Sequence, residues 1–505
     1  MKARPSNLTG ERPLPLEVLT RPPLGLLLRP PTAPSHPVHK FVLTDPQDFT
    51  GTWHLPAKTA EGGTSTEPFP VSGTLRWAKG EARLALDGML AAASSEQSSK
   101  FPVVHGTTRK AELVTLLRSI EVHSSSNWGP AGQKQTQELL SHTAVVGGHV
   151  DGDQLYESLT ARIPGLEDWL GGIGTTFTRS ASSVTLEIPG RTAEDVHIPS
   201  TGIELEFSVG RSHHALSSSE VRFTFPGYLT VRPDQPARLS DLLAHLYKVR
   251  ALLSILVASP MFPDWITVQL PGNERASDLN ILVGLWDAEL CRHKSQHDHF
   301  LPRALLGESL STVLNTWFEV FEQIASPVSL AQDVLNSTGL WNHVLFLSHM
   351  QVLEGLHRAR GNGLYMDQEE YDKIAGHLAG QIPKSVDPNH RTALKSRLQF
   401  GNEISLRNRL KALVAGLPEE IRQLVLNADS IPGSWVTTRN FYTHWDQASH
   451  HLVLKDIEIH AANVKLGMLI RVLLLQVAGV PQAAVLAALN GNSKTAQEVH
   501  QSRGW

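Results

Sequence analysis

The sequence predicts an α+β protein of more than one domain. A strand-rich, β-sandwich-like N-terminal domain with added helices precedes an all-α helical bundle. Between about 37 and 235, hydrophobic residues alternate with polar ones at period two, as in half-buried antiparallel strands. From about 336 to 480 they recur at the 3.6-residue period of helices. A chain of 505 residues is too long for one core, so two or three domains are expected.

Alternating segments bounded by glycine and proline define the predicted strands. The clearest lies at 203–209, where four hydrophobic residues alternate with glutamate and serine. Similar alternation marks Leu75 and Trp77, Leu84 and Leu86, Val184 to Ile188, and Val221 to Phe225. The polar interval at 124–135 is rich in serine and is predicted to be a loop or insertion.

Two helices and two strands are predicted after this region. A helix at 239–257 has Ser240 as its expected N-cap. The segments 265–270 and 280–286 have strand character, and 310–325 is expected to be a helix with a buried aromatic face.

Five helices are predicted in the C-terminal bundle. The first runs from 341 to 359 and stops at Gly361, and the second carries Leu406, Leu410 and Leu413. The third opens at Pro418, a residue favoured at helix starts. Gly433 and Ser434 lead into a fourth, and the last spans 456–478.

The expected domain boundaries follow these changes in pattern. Residues 1–36 are dense in proline, which removes backbone donors, so they are expected to form a disordered or extended arm. The strand-rich domain spans 37–335, the helical domain 336–490, and a tail 491–505.

Composition excludes several classes of function. A formal net charge of -4 argues against a broadly basic, nucleic-acid-coating surface, so any RNA contact should be local. One cysteine, Cys291, excludes an internal disulfide and fits a reducing compartment. No signal peptide or membrane span is expected, and we predict a soluble, cytoplasmic protein. Neither a phosphate-binding glycine loop nor a Gly-x-Ser-x-Gly elbow occurs.

Arg439 and His444 form the candidate active site. Arginine is a permanently charged, forked donor for phosphate oxygens, and histidine exchanges protons near neutral pH. The pair is expected at a helix start capped by Thr437 or Thr438, with no adjacent acidic side chain. Asn440 lies one turn before His444, on the same face. Because the chain has 24 histidines, Arg–His pairs at this spacing also arise by chance.

Several segments resemble the ApeA-like family, whose C-terminal region is a HEPN domain. Thr438 to Asp446, with the pattern Thr-Arg-Asn-x-x-Thr-His-x-Asp, resembles the HEPN active-site segment. The helices at 351–358 and 405–410 resemble the first and middle helices of that domain. The strand-rich part is similar to the ApeA N-terminal domain at 49–56, 71–75, 105–108 and 114–116. In order, these segments cover most of 40–480.

The resemblance implies a metal-independent endoribonuclease that needs no cofactor and acts in bacterial defence against phage, by abortive infection. Arg439 and His444 would be catalytic, with Asn440 in support. Glu354, Asp446 and Thr438 are our own candidates for accessory roles. Paired HEPN domains usually form one composite cleft, which implies a homodimer. A phage-derived trigger would act on the N-terminal domain. Phe441 and Tyr442 are bulkier than the aliphatic pair expected there.

Other candidate sites have competing interpretations. Cys291, His293, His297, Asp298 and His299 have the residue types of a zinc site, but their spacing fits no closed four-ligand pattern, and a polar turn is the alternative.

Residues in the helical region are equally ambiguous. Glu354 and His357 resemble half of a di-iron site that lacks its second half. Arg407 and Arg409 could contact RNA or form a solvated helix face.

Two further function classes stay open. The helical domain could be a non-catalytic module that binds nucleic acid or protein, or it could be an assembly scaffold. The RNA target, the trigger and the way in which the N-terminal domain restrains the helical domain are not readable from the residues.

Overall fold

The alternating N-terminal segments form antiparallel strands, as predicted. The computed structural model describes residues 41–56, 69–90, 99–129, 132–171, 176–180, 184–188, 192–217, 220–272, 278–284, 298–337, 339–361, 363–445 and 447–502. The predicted arm at 1–36 lies outside these residues. In chain order the strands are β1 Gln47–His54, β2 Val71–Ala78, β3 Glu81–Leu86, β4 Lys100–Thr108, β5 Leu113–Gly129, β6 Gly132–Ser141, β7 Thr143–Val146, β8 Leu155–Tyr156, β9 Ser158–Arg162, β10 Thr176–Arg179, β11 Val184–Glu187, β12 Thr192–Ile198, β13 Ile203–Val209, β14 Ser212–Ser217, β15 Glu220–Thr224, β16 Gly227–Pro233, β17 Ala237–Arg238, β18 Trp265–Gln269 and β19 Leu279–Val283.

Thirteen of the described strands belong to one hydrogen-bonded antiparallel sheet instead of the two facing sheets of the predicted sandwich. Its order is β12-β13-β16-β9-β18-β19-β7-β5-β4-β1-β2-β3-β6. Because β6 also pairs with β5, the last six strands close into a ring. Closure gives hydrogen-bond partners to the backbone N–H and C=O groups that edge strands of an open sheet leave unpaired. Fully buried side chains of this ring include Trp53, Leu75, Trp77, Leu84 and Leu116.

Residues 124–129 and 132–135, where a loop or insertion is predicted, lie in the paired strands of a β-hairpin, so a loop is wrong there. β5 and β6 pair along their length from Ile120 opposite Leu140 to Gly129 opposite Gly132. Most of the described hairpin side chains are exposed or half-exposed, so no apolar alternation marks the strands. Cross-strand hydrogen bonds between polar side chains, such as Ser125 with Thr136 at 2.8 Å, take the place of apolar pairs.

A glycine allows a close packing contact inside the ring. Gly106 in β4 lies opposite Trp53 in β1, and a Cβ atom at position 106 would lie 2.3 Å from the indole ring. Trp53 is fully buried and donates from its indole nitrogen to the carbonyl of Gly73, at 3.3 Å. The aromatic ring therefore occupies the space that any larger residue at 106 would need.

The helices are α1 Leu166–Trp169, α2 Leu239–Val257, α3 Arg303–Leu306, α4 Leu310–Asn336, α5 Asn342–Ala359, α6 Gln368–Gly380, α7 Pro388–Gln399, α8 Leu406–Ala415, α9 Glu419–Leu426, α10 Gly433–His444, α11 Asp456–Val477, α12 Gln482–Leu489 and α13 Lys494–Gln501. The predicted α+β class is therefore confirmed, and α2, α5, α9 and α11 match the predicted helices closely.

Differences from the predicted helices have local causes. The helix expected at 310–325 continues through Pro327 to Asn336, so proline does not end it. α6 and α7 were not predicted because their sequences are mostly polar. Each starts at an aspartate, Asp367 or Asp387, whose carboxylate accepts hydrogen bonds from backbone N–H groups of the first turn. The expected tail contains α13, and Arg238 instead of Ser240 is the N-cap of α2.

The strand-rich and helical parts share one hydrophobic core. α11 is the central helix of the bundle and contacts α5, α9 and α13, and also α2 and α4. Buried residues of all these helices join those of the sheet in one continuous cluster. Among the described residues, none of the helices combines the length and the apolar character that crossing a bilayer requires.

Candidate functional site

The helix that carries Arg439 and His444 starts earlier than predicted. α10 begins at Gly433, with Pro432 as its extended N-cap, and ends at His444. Arg439 therefore lies in the middle of the helix and His444 at its C-terminal end. The predicted position at a helix start is wrong, because Gly433 and Ser434 belong to the first turn instead of a linker.

The two threonines proposed as caps make other hydrogen bonds. Thr437 donates from its hydroxyl to the carbonyl of Gly433, one turn back, at 3.3 Å. Thr438 is fully buried and accepts a hydrogen bond from the backbone N–H of Leu454 at 3.0 Å. Thr438 thus joins α10 to the segment that leads into α11. Its contribution to the site is positional.

Arg439 has an acidic neighbour that local sequence does not reveal. Its Nη2 atom lies 3.4 Å from Oε2 of Glu354 in α5, and its Nη1 donates to Oδ1 of Asn440 at 3.3 Å. The Arg439 side chain is 28% exposed and that of Glu354 22% exposed, so the pair is partly shielded from water. The guanidinium is oriented by these contacts while part of it still faces solvent.

His444 is exposed and, among the described residues, forms no side-chain hydrogen bond. It is followed by Trp445, which has a left-handed backbone with φ 54° and whose N–H donates to the carbonyl of Phe441. This hydrogen bond ends the helix. The imidazole therefore stands at the solvent-facing end of α10.

Helical geometry separates Arg439 from His444 within one chain. Five residues turn an α-helix by about 500°, so the two side chains leave it about 140° apart and about 7.5 Å apart along the axis. Asn440 and His444, four residues apart, do share a face. The Arg439 side chain is directed towards α5 by Glu354, whereas His444 is not held there. Neither candidate is buried in apolar packing.

A chain of alternating charges continues from Glu354. Glu354 also pairs with Arg358, at 3.2 Å, and Arg358 pairs with Glu403 at 2.7 Å. Glu403 in turn lies 3.5 Å from Arg409. The network joins α5 to α8 and to the turn before it, and Arg358 is its member that contacts the carboxylate beside Arg439. Arg358 and Glu403 were missed from sequence, where only the four-residue spacing of Glu354 and Arg358 was visible.

The two arginines expected to contact RNA have different environments. Arg409 is 1% exposed, and its guanidinium donates to the carbonyls of Ile404 and Gly363 at 2.7 and 3.2 Å. Burial removes Arg409 from any surface that RNA could contact, so the prediction is corrected to a structural role. Arg407 is exposed, with its guanidinium close to Gly433 at the start of α10.

Aromatic side chains surround the exposed face of α10. Phe441 is buried, and Tyr442 stacks on His343 of α5 with ring centroids 5.6 Å apart. Trp445 packs on both, yet 65% of it is exposed. Trp341, just before α5, is 78% exposed. Trp445 therefore presents exposed apolar surface directly after His444.

The zinc candidate at 291–299 lies mostly outside the described residues and stays a prediction. Within the described part of the chain, no three histidine, cysteine or acidic side chains converge in a way that could hold a metal ion. Burial lowers the pKa of His357, and the positive charges of Arg409 and Arg358 lower it further. Cys291, His293, His297 and Asp446 lie outside the described residues, whereas His299 is buried.

The fold and the site define a strand-rich region joined to a helical region, with a partly exposed arginine and an exposed histidine on one helix. A family model for ApeA N-terminal domain 1 matches residues 48–317, more than half of the chain, and a model for the Apea-like HEPN domain matches 347–484. The chain belongs to the ApeA family. At that level it is a HEPN nuclease-type anti-phage protein. Comparison with curated proteins and with solved structures finds no match.

Proposed function

We propose that this protein is an endoribonuclease that cleaves RNA during bacterial defence against phage, by abortive infection. The observation that carries the proposal is the environment of α10. Its arginine is partly exposed and oriented by Glu354, and its terminal histidine is exposed. A guanidinium held in place but still open to solvent is suited to binding a phosphate group.

The proposed reaction is attack of a ribose 2′-oxygen on the adjacent 3′-phosphate. His444 accepts the 2′-hydroxyl proton, and a protonated histidine returns one to the departing 5′-oxygen. The P–O5′ bond breaks as the 2′-O–P bond forms, which leaves a 2′,3′-cyclic phosphate. Arg439 stabilises the negative charge that develops on the phosphorane. These steps use only side chains, so we propose that no metal is required.

Glu354 and Asn440 have positioning roles in this scheme. Glu354 contacts one terminal nitrogen of Arg439 and Asn440 the other, which limits the rotation of the guanidinium. A fixed donor loses little entropy when it meets the phosphate. Arg407, exposed beside the start of α10, is available for a second phosphate contact.

The proposed active unit is a homodimer. Because Arg439 and His444 diverge by about 140° on their helix, one chain does not bring them together by helical geometry alone. A two-fold axis beside α10 would place Arg439 of one copy near His444 of the other. Surface for such an interface is available from exposed apolar residues: Trp445 directly after α10, and Trp341 and Val344 at the start of α5.

Cleavage assays with purified full-length protein test the proposal. In EDTA, the wild type should convert single-stranded RNA into products that end in 2′,3′-cyclic phosphate. Arg439→Ala and His444→Ala should each lower the rate by about a hundredfold or more. Arg397→Ala and His390→Ala, which change exposed residues of α7, should cleave normally. Undiminished cleavage by either α10 variant would refute the assignment.

The second candidate function is a non-catalytic module that binds nucleic acid or a protein through the same surface. The observation that favours it is Trp445, an aromatic side chain directly after α10 that is 65% exposed. RNA binding by the wild type with no cleavage product would establish this alternative. Plaque assays with wild type and His444→Ala then show whether protection against phage depends on the histidine.

The N-terminal region is proposed to restrain the nuclease until a phage-derived trigger binds. The packing of the helical domain against α2 and α4 limits how this restraint can be tested. Since α11 packs against α2 and α4, a fragment that starts at 336 would expose apolar core. Restraint is better tested in the full chain, by substitutions on the exposed surface of the sheet that leave the shared core intact.

A further inference from the structure

A cavity of about 290 Å³ lies where the two regions matched by the family models meet. Its walls come from Ala258 just after α2, from the end of α4, and from α5, α11 and α13. It is separate from Arg439 and His444, which do not line it. Seven of the fifteen lining residues are polar or charged, among them His349, His460 and Arg471.

A buried cation lines this cavity without a matching carboxylate. Arg471, in the middle of α11, is 5% exposed. Nη1 donates to the carbonyls of Ser254 and Ile255 in the last turn of α2, at 3.3 and 2.8 Å. Its Nε atom is buried and has no hydrogen-bond acceptor, and among the described residues no carboxylate pairs with it.

The charge of Arg471 persists despite burial. Loss of solvent lowers the pKa of Arg471 to about 10, which still leaves the guanidinium protonated at neutral pH. Helix-end carbonyls offset a positive charge only in part. A buried, incompletely paired charge is costly to the fold. An anion in the adjoining cavity would complete its coordination.

A neutral hydrogen-bond acceptor on α5 also lines the cavity. His349 is 3% exposed, and burial lowers its pKa to about 4, so it is uncharged at neutral pH. The amide of Asn463 donates to the carbonyl of Asn342, so its oxygen accepts from Nδ1 of His349, at 3.2 Å. This tautomer leaves Nε2 with a free lone pair.

A glycine provides space beside that lone pair. Gly467 belongs to α11, where glycine costs about 1 kcal/mol relative to alanine. A Cβ atom there would lie 3.6 Å from Nε2 of His349 and 3.5 Å from Leu335. A larger side chain at this position would extend into the cavity. The missing side chain therefore leaves the acceptor accessible to a ligand.

We propose that this cavity binds a small ligand that carries a phosphate group. Phosphate oxygens accept from the unsatisfied edge of Arg471, and a hydroxyl or P–OH of the ligand donates to Nε2 of His349. Glu498 also lines the cavity, at its rim. It is 50% exposed and lies 4.0 Å from Lys494, so its charge is largely solvated and partly offset. A bound ligand would hold Arg471 in place and so strengthen the contact of α11 with α2.

Titration calorimetry of the full-length protein tests the site, with inorganic phosphate and each of the four nucleoside 5′-monophosphates as probes. We expect saturable binding with one site per chain for at least one probe. Arg471→Lys should weaken it at least tenfold, because lysine lacks the planar fork. Gly467→Leu should abolish binding, because the leucine side chain fills the cavity. Thermal melting of each variant shows whether it is still folded.

The control variant is Gly376→Leu, at a glycine of α6 with open space around it. It should bind like the wild type. Binding of inorganic phosphate identifies the free anion as sufficient, whereas binding of a nucleotide alone identifies a nucleotide site. No binding of any probe, or binding that Gly467→Leu leaves unchanged, overturns the proposal. Neither result depends on RNA cleavage, so the proposed nuclease function is tested separately.

Discussion

Replacing Glu354 with glutamine should slow RNA cleavage about fivefold without weakening RNA binding. The Arg439–Glu354 contact is 3.4 Å long, and both side chains are between one fifth and one third exposed. Exposed pairs contribute about 0.2–1 kcal/mol, and breaking buried pairs costs about 3–5 kcal/mol. We expect the partly exposed Arg439–Glu354 pair to contribute about 1 kcal/mol to the orientation of Arg439, which corresponds to about a fivefold change in rate. Glutamine keeps the shape but removes the charge that orients Arg439.

The assay separates positioning from binding. Single-turnover cleavage of a labelled RNA reports the chemical step. Fluorescence anisotropy in a His444→Ala background reports affinity without cleavage. RNA affinity should stay constant or rise in Glu354→Gln, because a carboxylate that competes with phosphate for Arg439 is gone.

The matched control is Glu403→Gln. Glu403 belongs to the same charge network but contacts Arg358 and Arg409, not Arg439. It should cleave RNA at the wild-type rate at temperatures below its melting transition. An unchanged rate in Glu354→Gln, or an equal loss in both variants, would refute the positioning role.

Three further predictions concern stability. Arg409→Ala should lower the free energy of unfolding by about 3 kcal/mol, since it leaves the carbonyls of Ile404 and Gly363 without their donor. Arg407→Ala should change it by under 0.5 kcal/mol, and equal urea midpoints for the two variants would contradict this. Burial lowers the pKa of His349 to about 4, so between pH 6.5 and 4 the unfolded chain binds a proton that the folded chain does not, and the free energy of unfolding should fall as the pH drops. His349→Gln should flatten this dependence on pH in urea titrations, and equal pH dependence in variant and wild type would exclude His349 as the cause. Gly106→Ala should lower the free energy of unfolding by about 3 kcal/mol, because its Cβ would overlap the buried indole of Trp53, whereas Gly376→Ala, in an open helical position, should raise it by about 0.5–1 kcal/mol. Equal melting temperatures of the two variants in calorimetry would contradict the packing argument.

Local patterns predicted much of the fold because burial of one face leaves a periodic trace. α2 and α11 were located within one residue by their apolar spacing, and β13 by its alternation. The hairpin of β5 and β6 and the helices α6 and α7 left no such trace, because most of their side chains face water. Polar cross-strand bonds and aspartate caps stabilise them instead.

For the candidate site, the sequence alone determined which residue types are available: an arginine, an asparagine and a histidine with chemistry suited to RNA, in segments that resemble a HEPN domain. Only the tertiary structure decided what surrounds them. It brought Glu354 from another helix to Arg439, buried Arg409, and put His444 at the end of α10. Helical periodicity is a property of neighbouring residues, whereas an ion pair between residues 85 positions apart depends on how the helices pack.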